Sequence, residues 1–132
     1  MRLDQYLSRL QNILYSRQEI IIEHLQATET VPDQKGLVYA RLRFWDNSLL
    51  EFTESLVEHG VMLTKSNYAY HYQDANSELI FRYDNAPHHQ EIPTHPHHKH
   101  TPNRVEAAEP PHLNDVLREI DQLLYHLKES RD

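Results

Sequence analysis

The 132-residue chain contains no cysteine and only two glycines. Without thiols it can form no disulfide, no iron–sulfur cluster and no cysteine-ligated zinc finger, and it has no thiol nucleophile. Gly36 and Gly60 stand alone, which excludes the glycine-rich phosphate loops that are typical of nucleotide-binding proteins. Any chemistry must therefore come from oxygen and nitrogen side chains.

The sequence also lacks a long hydrophobic run, because apolar residues make up 39% of the chain and are interspersed with polar ones. The first twelve residues, MRLDQYLSRLQN, indicate neither a signal peptide nor a membrane anchor. We therefore expect a cytoplasmic protein that does not contact a membrane. The length of 132 residues predicts a single domain, residues 1–132, with one hydrophobic core.

Basic side chains are scarce, with 13 Lys and Arg against 20 Asp and Glu, so the formal net charge is -7. This balance is unusual for a protein that binds nucleic acid. Beyond the N-terminal segment, acidic residues outnumber basic ones except in residues 80–104, which hold three basic and two acidic side chains. We expect an anionic ligand to be tolerated there and repelled elsewhere.

Apolar residues recur at three- and four-residue steps at both ends of the chain, which predicts two amphipathic helices. The first covers residues 1–17. The second covers residues 112–130, begins at Pro111 or His112, and has Asp115 in its first turn. Its apolar stripe consists of Leu113, Val116, Leu117, Ile120, Leu123, Leu124 and Leu127. A stripe of this width must be covered by a sheet or by a partner.

Between residues 19 and 84 the hydrophobic period changes to two, which predicts antiparallel strands joined by short turns. Tyr68, Tyr70 and Tyr72, for example, alternate with smaller or polar residues. These tyrosines form either a packed face of the sheet or a stacking platform for bases. We expect an α+β fold, with an antiparallel meander of about five strands and both helices packed on it.

Residues 85–111 hold six of the seven prolines, and six of the eleven histidines lie between His88 and His100. This composition predicts a long His/Pro-rich loop without regular structure. Loops of this length in compact domains are usually functional or disordered.

Histidine titrates near neutral pH, so one side chain can act as a general base and another as a general acid. Cleavage of RNA needs such a pair, together with a fixed cation that stabilises charge on the phosphate oxygens. Arg82 and Lys99 are the cations that this segment offers. Composition alone does not separate this hypothesis from metal binding. Neutral imidazoles can bind zinc, copper or nickel, and the available ligands are His97, His98 and His100 with His88 or His89.

Several motifs together resemble the TumE-like toxins, namely YHYQD, LIFRYDNAPHH and HPHHKH, followed by a leucine-rich C-terminal helix. The resemblance covers most of the chain and is sharpest at residues 82–85, 88–89 and 96–100. His95 departs from it, since an apolar or aromatic residue is expected there. The family comprises small prokaryotic toxins encoded beside a helix-turn-helix antitoxin in type II toxin–antitoxin pairs. For toxins this small, cleavage of RNA is the commonest activity, which is an argument by analogy.

The resemblance and the residues together predict a toxin that acts as a metal-independent endoribonuclease without a cofactor. The expected catalytic residues are Arg82, His88, His97, His98, Lys99 and His100. The expected substrate-binding residues are Tyr72, Tyr83, Asp84 and Asn85. Expected partners are RNA, a helix-turn-helix antitoxin and a second copy in a homodimer, because an apolar stripe and an unpaired outer strand favour association.

Two other hypotheses remain open at this point. One is a non-catalytic metal-binding or regulatory interaction protein with a His-rich transition-metal site. The other is a nucleotidyl or phosphoryl transferase, for which the chain is short and lacks a nucleotide-binding loop.

Overall fold

The computed structural model describes residues 1–131 of the chain and the side chains of residues 1–126. Helix α1 (Leu3–Tyr15) begins the fold and helix α2 (Leu113–Arg131) ends it. Seven strands lie between the helices: β1 (Ile21–Val31), β2 (Lys35–Arg43), β3 (Leu49–His59), β4 (Met62–Gln73), β5 (Leu79–Asp84), β6 (His98–Thr101) and β7 (Arg104–Ala107). Over the described residues, neither helix carries an apolar stretch long enough to cross a bilayer.

Each strand pairs antiparallel with its sequence neighbours, so the spatial order of the sheet is the order of the chain. The α+β architecture with an antiparallel meander and a helix at each end is therefore confirmed. The expected number of strands was too low, because the sheet has seven rather than about five.

The two additional strands, β6 and β7, lie inside the segment 85–111 for which we expected no regular structure. Each is four residues long, which is too short for an alternating pattern to stand out in the sequence. β6 becomes a strand because its backbone pairs with that of β5, a contact between separate parts of the chain. Local periodicity cannot reveal such pairing. Residues 85–97 form a series of turns and bends, residues 102–103 are the turn between β6 and β7, and residues 108–111 have no regular structure.

Both helices contribute side chains to one hydrophobic core, on one face of the sheet. Because successive residues of a strand point to opposite faces, alternate positions supply the core of the sheet. These positions include Val38, Ala40, Leu42, Leu50, Phe52, Leu56, Tyr68, Tyr70 and Tyr72. The tyrosines of β4 are therefore a packed face of the sheet and not a stacking platform.

The apolar stripe of α2 is covered by the sheet of the same chain. Five of its members are buried: Leu113, Val116, Leu117, Ile120 and Leu124. Leu123 is partly exposed, and the side chain of Leu127 lies outside the described residues. The helix starts as expected, since the Asp115 carboxylate accepts a hydrogen bond of 2.9 Å from the backbone N–H of His112. The stripe thus gives no support to a homodimer.

The substitution Leu117→Ala tests this packing. Leu117 is 1% exposed, and its truncation should lower the free energy of unfolding by about 2–5 kcal/mol because it leaves a cavity. The matched control on the same helix is Leu123→Ala, where the side chain is 41% exposed and the loss should stay below about 1 kcal/mol. Urea unfolding measures both values, and equal losses would contradict the burial of the stripe.

Candidate functional site: histidines on the open face of the sheet

The open face of the sheet, which is the face that lies away from the helices, carries a row of charged and polar side chains. The register pairs Arg41 with Glu51, Glu51 with His71, His71 with Arg82, and Arg82 with His100. The row therefore crosses the sheet from β2 to β6. Arg41 and Glu51 form an ion pair, with a nitrogen–oxygen distance of 3.0 Å. Arg82 and His100 belong to residues 80–104, where we expected an anionic ligand to be tolerated.

The pleat of β6 divides the HHKH motif between the two faces of the sheet. His98 and His100 lie opposite Asp84 and Arg82, respectively, on the open face. Lys99 lies between the two histidines in sequence and therefore points to the helix face. The structure thus brings together four of the residues expected to be functional and separates Lys99 from them. These four form the histidine cluster: Arg82, Asp84, His98 and His100.

Lys99 and Tyr83 share an acidic partner on the helix face. The ammonium of Lys99 donates to Oε2 of Glu119 over 2.7 Å, and the Tyr83 hydroxyl donates to Oε1 of the same residue over 2.6 Å. Both side chains therefore fasten α2 to strands β5 and β6. Neither lies in the histidine cluster.

The other expected site residues also lie apart from the open-face cluster. His97 stacks on Tyr68 with an interplanar angle of 8°, and its Nδ1 lies 2.9 Å from the Tyr68 hydroxyl. Tyr72 is buried in the core. Asn85 accepts a hydrogen bond from the backbone N–H of Tyr68, so it holds the start of the irregular segment against β4. His88 is exposed.

His98 lies at the centre of the cluster and is 2% exposed. Its Nδ1 lies 2.9 Å from the carbonyl oxygen of Pro96, which can only accept, so Nδ1 carries a proton and donates it. On the other side of the ring, Nε2 lies 2.9 Å from Oδ1 of Asp84 and 3.0 Å from Nε2 of His100. A lone pair and a carboxylate repel each other at this distance. A positive species, either a proton or a metal ion, therefore belongs at Nε2.

Asp84 fixes the positions of its neighbours. One carboxylate oxygen accepts from Nε of Arg82 over 2.9 Å, and the other accepts from the backbone N–H of Ala86 over 3.0 Å. Burial raises the pKa of Asp84, but the hydrogen bonds from Ala86 and Arg82, with the charge of His98, outweigh burial and hold the pKa below its ordinary value. Asp84 is therefore a carboxylate at neutral pH.

His100 and His89 complete the cluster on its solvent side, where their side chains are 27% and 30% exposed. The ring of His89 lies 5.0 Å from that of His98 and 5.5 Å from that of His100. One ring nitrogen from each of the three histidines lies within 4.8 Å of the others. Burial lowers the pKa of His100, against the opposing effect of Asp84, which favours a neutral imidazole. The geometry therefore selects His89, not His88, as the third histidine.

A second polar cluster, which the sequence analysis missed, lies under the helices. Glu54 is fully buried, and its carboxylate accepts hydrogen bonds from the hydroxyls of Tyr6 and Tyr70. Lys65 lies 3.8 Å from the same carboxylate and donates to the carbonyl of Pro111 over 2.7 Å. The cluster joins α1, the sheet and the segment before α2. The alternation of β3 assigns Glu54 to the face that otherwise carries apolar residues. This position could have revealed the buried carboxylate from the sequence.

A family model described as Toxin TumE matches residues 10–124 of the chain. The matched range begins within α1, ends within α2, and contains the entire sheet and the histidine cluster. No curated protein and no solved structure was found to match the chain.

The protonation pattern of His98 can be tested by nuclear magnetic resonance. In chelator-treated protein, long-range ¹⁵N–¹H spectra should show His98 protonated at Nδ1, because the Pro96 carbonyl fixes that proton. Exposed His88 serves as the internal control and should show no such fixed pattern. The His98→Gln variant assigns the signal. A deprotonated Nδ1 in His98 would contradict the geometry described above.

Proposed function

The chain belongs to the TumE toxin family, and from this premise we propose that it is the toxin of a type II toxin–antitoxin pair and cleaves RNA without a metal ion. The observation that carries the proposal is the chain of contacts from Asp84 through His98 to His100, with Arg82 beside it on the open face. Neither helix covers this face, and the side chains of Arg82 and His100 are 39% and 27% exposed, so an extended anionic substrate can reach them. Because the proposed substrate is cytoplasmic RNA, the proposal implies action in the cytoplasm.

His98 and His100 act as one proton-exchanging unit in this proposal. Their Nε2 atoms are 3.0 Å apart, so a proton on one is shared with the other. His100 is the more exposed ring, and it accepts the proton of the 2′-hydroxyl as that oxygen attacks the phosphorus. The carboxylate of Asp84, in contact with both rings, stabilises the positive charge that results.

The compactness of the cluster limits which roles it can fill. In-line cleavage places the attacking 2′-oxygen and the leaving 5′-oxygen on opposite sides of the phosphorus. Two rings in direct contact cannot reach both sides, so His98 and His100 together supply the base. We assign the acid to His89, which belongs to the irregular segment 85–97 and is free of strand pairing. Displacement of its ring would admit the phosphate between acid and base.

Arg82 is the proposed cation for the phosphate oxygens. Its Nε is held by Asp84 at 2.9 Å, and its Nη1 lies 3.3 Å from Nδ1 of His71. A guanidinium that is fixed before the substrate arrives can stabilise the transition state without reorganisation. Lys99 was the second cation expected from the sequence, but it is paired with Glu119 on the opposite face, so the proposal does not use it.

Substitutions on the two faces of the sheet test the proposed chemistry. Arg82→Ala and His100→Ala should each lower RNA cleavage by about 10²–10⁴-fold and abolish growth arrest, because each removes a group that acts in the transition state. Lys99→Ala should retain cleavage. His59→Ala serves as a control, since His59 is exposed at the end of β3 and distant in the sheet from the cluster. Cleavage should persist in EDTA and leave 2′,3′-cyclic phosphate ends.

Circular dichroism and urea midpoints establish whether each variant is folded. Growth arrest that survives both Arg82→Ala and His100→Ala would remove the cluster from the mechanism. Cleavage that stops in EDTA would refute the metal-independent chemistry.

The family implies an antitoxin partner, and we propose that a helix-turn-helix antitoxin inhibits by placing an acidic segment over the open face. Such a segment would pair with Arg82 in place of RNA. Binding should weaken as salt rises and after Arg82→Ala, whereas Lys99→Ala should leave it unchanged. Calorimetry at two ionic strengths measures these effects. An antitoxin that binds the Arg82→Ala variant as tightly as the wild type would show that inhibition does not use this site.

The homodimer also remains a proposal, and it now rests on the sheet edge alone. β1 lies at one edge of the sheet and is 11 residues long. Edges of this length favour pairing with another chain.

A further inference from the structure

We propose that His89, His98 and His100, together with Asp84, form a binding site for a single transition-metal ion such as Zn²⁺, and that occupancy of this site switches the nuclease off. The metal site itself does not depend on what the protein cleaves. The inhibitory effect rests on the function proposed above.

The spacing of the donor atoms is the first argument. Tetrahedral zinc with Zn–N bonds of about 2.0–2.1 Å places neighbouring ligand atoms about 3.3 Å apart. Nε2 of His98 lies 3.0 Å from Nε2 of His100 and 2.9 Å from Oδ1 of Asp84. These separations suit donors that share one cation. His89 holds a ring nitrogen within 4.8 Å of the other two imidazoles, so a side-chain rotation brings it into the same sphere.

The contacts behind the donor atoms are the second argument. Metal-binding histidines in proteins almost always donate their other ring N–H to a carbonyl or a carboxylate, which directs the lone pair at the metal. His98 makes this contact to the carbonyl of Pro96 over 2.9 Å. In His89, Nδ1 lies 3.5 Å from a carboxylate oxygen of Glu91. Asp84 is likewise oriented, since its two oxygens accept hydrogen bonds from Arg82 and from the backbone N–H of Ala86.

The chemistry of the donor set determines which ions can bind. Three imidazoles with one carboxylate favour zinc, copper and nickel, whereas magnesium and calcium prefer sites made of oxygen ligands. His98 is buried, while His89 and His100 are partly exposed, so an ion can enter from the solvent side. A metal ion would also supply the positive charge that the contact between His98 and Asp84 requires.

Metal binding and proton transfer compete for the same lone pairs. An imidazole nitrogen that is bound to zinc cannot accept a proton, and a metal-bound His89 cannot donate one. If the cluster works as the acid and base of RNA cleavage, a bound ion therefore blocks both steps.

Calorimetric titration of untagged, chelator-treated protein tests the metal site. Zn²⁺ and Ni²⁺ should each bind with one ion per chain, and Mg²⁺ should not bind. His89→Gln and His100→Gln should each weaken zinc binding about tenfold or more. The matched control is His88→Gln, because His88 is adjacent to His89 in sequence but exposed and outside the cluster, and its variant should bind zinc within about twofold of wild type.

Absence of zinc binding would overturn the site. Binding of several ions per chain, with an equal loss of zinc affinity in the His88→Gln and His89→Gln variants, would also overturn it.

The inhibition is tested by measuring RNA cleavage during the same zinc titration. Half-inhibition should occur at the zinc concentration that half-fills the site, and a chelator should restore cleavage. Stoichiometric zinc binding without any loss of cleavage would overturn the inhibition. If metal-free protein cleaves no RNA while zinc binds stoichiometrically, the proposed function fails and the metal site stands.

Discussion

The site depends on the antiparallel pairing of β5 with β6. This pairing sets His98 opposite Asp84 and His100 opposite Arg82. A slip of one residue would turn both histidines towards the helices and bring Lys99 to the open face. Backbone hydrogen bonds between two short strands therefore determine which part of a histidine-rich motif is available for chemistry and which part holds the fold together.

Ion pairs on the open face allow an acidic protein to present the anion site that we propose. The open face contains acidic side chains, but those next to the cluster are already engaged, as Glu51 is with Arg41 and Asp84 is with Arg82. Each carboxylate thereby orients a cation or an imidazole. The net charge of -7 describes the whole chain. It does not describe the surroundings of Arg82 and the three histidines.

The sequence allowed much of the fold to be predicted, and less of the site. Both helices and the five strands from β1 to β5 were predicted from the local sequence pattern, because each pattern extends over six residues or more. β6 was missed because its stability comes from a distant partner and not from a local pattern. The choice between His88 and His89 depended on the path of the irregular segment, which no periodicity encodes. Glu54 could have been recognised, since strict alternation in β3 assigns it to the buried face.

The order of the sheet has a consequence for the synthesis of the protein. Each strand pairs with the one made immediately before it, so the sheet can assemble progressively as the chain leaves the ribosome. A chain that ends at β5 already carries Arg82 and Asp84, but its histidine partners in β6 have not yet been made. The cluster is therefore among the last features to form. Under the function proposed above, a nascent or truncated chain therefore stays inactive until synthesis has passed the sixth strand.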